Sequence, residues 1–257
     1  MSLEDSPSPK PIDSREVAGS SESVAALDPV ESSKAETVDP NLTEDAALAL
    51  MKRSDLSGEI LEQISKHGSL TKSRKVKLAL VTHPMTPRHV SLPIVRHLYT
   101  FDLMKVALTP VVPADVKVAA DESLIARLEK LTLGEKLSLA KRASGRVAGA
   151  LLNDPDSRVI DAALENLRLT EASIVRALTG RDVTTELVQK IWEHPKWSLR
   201  HEVRNAVLQN GNTPLSKALE FARGMPVEQA RQIIEGSQRS EYEKHSLLEE
   251  LGRDSRD

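Results

Sequence analysis

Residues 75–87 read KVKLALVTHPMTP, residues 158–170 read RVIDAALENLRLT, and residues 202–214 read EVRNAVLQNGNTP. Aligned, Val76, Val159 and Val203 share a column, as do Ala79, Ala162 and Ala206. The next two positions are apolar in all three, and a polar residue follows. Then come His83, Asn166 and Asn210, and a short joint that leads to a threonine. Beyond each joint an apolar periodic stretch resumes: VSLPIVRHL, EASIVRAL and PLSKALEFA. The copies start 83 and 44 residues apart, which leaves room for a divergent unit near 114–143. Self-similarity at a period of about 40 residues, with two or so helices per unit, signals a helical repeat array. Alanine in the shared column lets neighbouring helices approach closely.

The rest of the chain agrees. No period-2 run predicts a strand. The pattern predicts a helix from Thr43 and further helices over 57–67, 71–82, 87–98, 101–109, 114–130, 133–143, 145–153, 156–166, 171–179, 183–193, 199–209, 214–223, 226–236 and 240–251. Pro87, Pro113, Pro155, Pro195, Pro214 and Pro226 stand where helices should start, because proline's fixed φ suits a first turn. Thr86, Thr213 and Asp154 precede three of them and are expected to cap those starts. Thr132 and Glu135 fit a capping box.

The histidines in LVTHPMTPRHV raise the question of a metal. His83 and His89 lie across a joint, and His89 and His97 are two turns apart with Pro93 between them. His83 instead occupies the column of Asn166 and Asn210, a helix-ending position where a left-handed backbone and carbonyl capping are expected. His194 shares its His-Pro context. No metal or cofactor is expected, and the absence of cysteine excludes thiolate sites and disulfides.

Charge is unevenly spread. Residues 1–45 carry eleven acidic and three basic side chains. Residues 66–118 carry nine basic ones against Asp102 and Asp115 alone. Residues 1–42 are rich in Ser, Pro, Glu and Asp and are expected to form a disordered acidic tail. Within them a short helix, such as SESVAALD, is expected only if a partner pins it. The expected organisation is this tail, a helical repeat domain over 43–237, and a capping helix with a short tail over 238–257. No apolar run is long enough to span a bilayer and the N-terminus lacks a secretory h-region, so a cytoplasmic protein without membrane contact is expected.

The HPMTP, NDPDSRV and NGNTP joints and their flanking helices resemble those of HEAT-like and leucine-rich-repeat-variant α-solenoids. The resemblance covers about residues 55–235. It implies an all-α, right-handed solenoid whose face binds another macromolecule, and it implies no reaction. The cysteine-ligated cluster that bacterial leucine-rich-repeat-variant proteins can carry has no counterpart here.

Two stretches are candidate binding surfaces. Lys72, Lys75, Arg88 and Arg96 could meet phosphates or an acidic protein. Trp192, Trp197, Arg200 and Arg204 could stack and bind phosphate, as in HEAT-like DNA glycosylases, although no motif of those enzymes transfers residue by residue. Asp154, Asp156 and Asp161 offer paired carboxylates, but read better as helix-start residues. The expected function is a non-enzymatic protein-binding scaffold with no small-molecule substrate. A nucleic-acid-binding array using the basic half is the alternative, with a base-processing enzyme behind it.

Overall fold

The computed structural model describes residues 41–181 and 183–254. The expected acidic tail lies outside the described residues, apart from Asn41 and Leu42. Leu42 is buried against the first helices.

Among the described residues there are fifteen α-helices and no strand. They are α1 (Glu44–Leu50), α2 (Gly58–Lys66), α3 (Arg74–Thr82), α4 (Arg88–Val95), α5 (Thr100–Leu108), α6 (Ala114–Ile125), α7 (Leu133–Arg142) and α8 (Gly145–Leu151). There follow α9 (Ser157–Leu164), α10 (Glu171–Leu178), α11 (Thr185–Glu193), α12 (His201–Gln209), α13 (Leu215–Arg223), α14 (Val227–Glu235) and α15 (Glu241–Asp254). The chain is all-helical, as the periodicity predicts. None of these helices is long and apolar enough to cross a membrane.

Most helices pack on a neighbour in sequence, and most also pack on the helix two along. Contacts of the second kind join α4, α6, α8, α10, α12 and α14 into an unbroken row. The odd-numbered helices pack in the same way within α1/α3/α5, α7/α9/α11 and α13/α15. The aligned columns explain this. Val76, Val159 and Val203 are fully buried, and the apolar pair after each shared alanine is buried too. Burying each such side chain stabilises the fold by about 1.5–3 kcal/mol. The core divides into a central cluster and smaller ones near each end.

Several local expectations need correction. Pro87, Pro113, Pro214 and Pro226 are themselves the N-cap residues, with φ between −60° and −54° and extended ψ. Each proline carbonyl accepts the first helical hydrogen bond, so its missing N–H is never needed. The threonines before two of them therefore cap nothing ahead. Thr86 Oγ1 donates back to Leu80 O at 2.6 Å, and Thr213 Oγ1 donates to Val207 O. The N-cap of α9 is Asp156 rather than Asp154, and Pro195 lies in a turn well before α12, whose N-cap is Arg200. The helix expected over 114–130 stops at Ile125, where Arg127 turns aside to donate to the carbonyls of Leu98 and Arg96. The helix expected from 71 begins at Arg74 after a separate 3-10 turn, with Ser73 as N-cap. The Thr132–Glu135 capping box is formed, and its hydrogen bonds hold the Glu135 carboxyl below its usual range.

Candidate functional site

The joints fix the geometry of every exposed face. A helix leaves four C-terminal carbonyls without intrahelical partners. Here a side chain from just after one helix caps carbonyls at or just beyond the end of the helix two before it. After α3, His83 Nε2 lies 2.9 Å from Arg53 O, beyond the end of α1. After α9, Asn166 Nδ2 donates to Ala140 O and Ala143 O at the end of α7. After α11, Trp197 Nε1 donates to Leu164 O of α9. After α12, Asn210 Nδ2 donates to Leu178 O of α10. After α14, buried Arg239 donates to the carbonyls of Leu208, Asn210 and Thr213.

The same joint residues also brace their own turns. The side chains of His83, Asp154, Asn166, His194 and Asn210 each accept the backbone N–H two residues on, at 2.7–3.2 Å. The left-handed backbone expected at His83 and Asn210 is absent. Both are extended, and the side chain does the capping. Because His83 Nδ1 accepts from Met85 N–H, its Nε2 must be the protonated nitrogen that faces Arg53 O. His194 Nε2 lies 3.3 Å from Glu165 Oε1 but is misaligned for a hydrogen bond.

Across α1, α3 and α5 the first odd-numbered row leaves an open groove of about 780 Å³. Its floor is apolar: Leu48 and Ala49 on α1, Leu78 and Ala79 on α3, and Val111 beyond α5, which is 61% exposed. Lys52, Arg53, Lys75 and Lys105 stand around it, against Asp45. Lys52 and Lys105 make no ion pair with any described residue. Lys75 lies 3.7 Å from Glu44, with both side chains exposed. A second hollow of about 500 Å³, lined by Asn41, Leu42 and Thr43, adjoins the groove through the shared residues Ala49 and Arg53. An apolar floor with a cationic rim suits an amphipathic, acidic chain segment.

The residues expected to bind from sequence alone are dispersed. Lys75 is on the groove. Lys72 is exposed at the end of the 3-10 turn, and Arg96 is exposed after α4. Arg88 is engaged with Asp115. The Trp/Arg set does not form a stacking surface. Trp197 is 2% exposed, with its indole N–H used on Leu164 O, and Trp192 packs half-buried against the central core. Arg204 lies over the Phe221 ring and against Gly224, while Arg200 faces solvent. The acidic trio is likewise engaged. Asp154 is paired with Lys136, Asp156 caps α9 and pairs with Arg158, and Asp161 pairs with Lys190.

Sequence reasoning missed the groove because its floor residues occupy ordinary apolar helix positions. The available signal was the excess of lysine beside them, at Lys52, Lys75 and Lys105. Comparison with protein-family models, characterised proteins and solved structures finds no match.

Proposed function

We propose that this chain is a non-enzymatic protein-binding scaffold: an α-solenoid of HEAT-like repeats that takes up an acidic, amphipathic polypeptide segment on its α1/α3/α5 face. The observation that carries this reading is the groove itself, an apolar floor open to solvent beneath Lys52 and Lys105, which form no ion pair with any described residue. Apolar contact along the floor supplies affinity, and the lysines select acidic partners and speed encounter. The His83 bond to Arg53 O and the Arg74–Asp102 ion pair favour a scaffold role, since they tie α1 to α3 and α3 to α5 without help from a ligand.

Peptide display against the immobilised full chain tests this reading. Selected sequences should combine acidic residues with spaced apolar ones. Their binding should weaken by about tenfold in Lys52→Glu/Lys105→Glu, because rim charges act mainly on encounter and selectivity. It should be insensitive to Arg200→Glu, at the remote α11–α12 joint. Peptides without acidic bias, or binding lost only in Arg200→Glu, would contradict it.

A further inference from the structure

The acidic residues that precede Asn41 have the chemistry the groove asks for. Residues 1–40 hold nine acidic and three basic side chains. Their only run of four apolar residues is Val24–Leu27, flanked by Glu22 and Asp28 in the stretch ESVAALD. Val24 and Leu27 are three apart, which puts both on one face when such a stretch is helical. The hollow lined by Asn41, Leu42 and Thr43 shares Ala49 and Arg53 with the lysine-rimmed groove, so Asn41 stands beside the groove.

Reach is not limiting. Asn41 is fourteen positions after Leu27. Fourteen steps of chain span up to about 45–50 Å when extended. Adjacent packed helices lie about 8–10 Å apart, so α1 to α5 is about 20 Å. Tethering also makes the contact intramolecular, with an effective concentration set by the length of the intervening chain. A weak intrinsic contact is then enough to compete with a partner in solution.

We propose that residues 22–28 dock in the α1/α3/α5 groove of their own chain, with Val24 and Leu27 on the apolar floor and Glu22 and Asp28 facing Lys52 and Lys105. The segment thereby acts as an intramolecular competitor for the partner. This rests on the reading of the groove as a polypeptide site. It predicts that partner binding is weakened by the chain's own acidic stretch and restored when that stretch is displaced.

The absence of cysteine makes the test direct in the full chain. Ser23→Cys gives a single attachment point for a nitroxide label. Methyl signals of Leu48, Leu78 and Val111 should then relax several-fold faster than those of Ile191 and Val203. The effect should vanish in Lys52→Glu/Lys105→Glu and fade with added salt. Uniform relaxation across all five residues would overturn the proposal. So would broadening that appears when labelled chains are mixed with unlabelled, isotope-enriched chains, since docking would then be between copies. If the label shows no docking but acidic peptides still select the groove, only this inference falls. If selected peptides bind elsewhere, the functional reading falls with it.

Discussion

Asn166 donates through Nδ2 to the carbonyl of Ala140 at 2.6 Å, although 26 residues separate them. The same side chain accepts Arg168 N–H through Oδ1 at 2.7 Å. One buried amide just after α9 therefore braces the next turn and caps α7. Replacing Asn166 with Ala leaves those groups without partners in a buried site, and stability should fall by about 1–3 kcal/mol. Asn166→Asp should be worse, since a carboxylate would face two carbonyls. Urea unfolding measures both, and a neutral Asn166→Ala would show that the joints do not hold the array.

His83 plays the corresponding part with different chemistry. An amide offers the same acceptor and donor, so His83→Asn should retain most of the stability, while His83→Ala should lose about 1–3 kcal/mol. Imidazole nitrogen shifts should report the neutral Nε2–H tautomer in the folded protein. Protonation of both nitrogens at neutral pH would contradict the assignment.

Much of this was legible in the sequence, and what was not has a physical reason. The helices follow from the periodicity and from the prolines and polar joints that punctuate it. The alignment of His83 with Asn166 and Asn210 pointed to one recurring structural role. The partners of those side chains were not legible, because a bond to a carbonyl 23–32 residues earlier depends on how the rows stack. Trp197 misled for the same reason. Its neighbours Arg200 and Arg204 suggest a surface, yet its indole N–H satisfies Leu164 O in the interior. The groove emerges only when α1, α3 and α5 are set side by side.

Two glycines give a matched comparison. A Cβ on Gly145, at the start of α8, would collide with the carbonyl of Arg168 in the joint after α9. Gly145→Ala should cost about 1–3 kcal/mol, as overpacking does. Gly134, in α7, has open space at that position. Gly134→Ala should stabilise by about 0.5–1 kcal/mol by favouring the helix. Thermal unfolding that moved both in the same direction would contradict the packing described at Gly145.

Asp121 gives the fold a pH dependence. Its carboxyl is raised above the ordinary carboxylate range, chiefly by burial, which outweighs the hydrogen bond it accepts from Ser144 at 2.7 Å. The folded state thus holds this proton more tightly than the unfolded chain does. The stability it contributes is fully present below the unfolded pKa and is lost as pH rises through the folded pKa. Asp121→Asn keeps an acceptor for Ser144 and removes the charge. The variant should gain stability over the wild type at neutral pH and lose that advantage in acid. A constant difference across pH would show that Asp121 titrates normally.

The central claim is that the exposed groove serves a polypeptide rather than a nucleic acid. Titration of fluorescent acidic peptides from the selection, and of single- and double-stranded DNA and RNA, against the full chain near physiological salt compares the two directly. Saturable peptide binding that falls by about tenfold in Lys52→Glu/Lys105→Glu is expected, with only weak nucleic-acid binding at that salt. Submicromolar nucleic-acid binding that steepens with falling salt, and is lost when Lys72, Lys75, Arg88 and Arg96 become Gln, would contradict it.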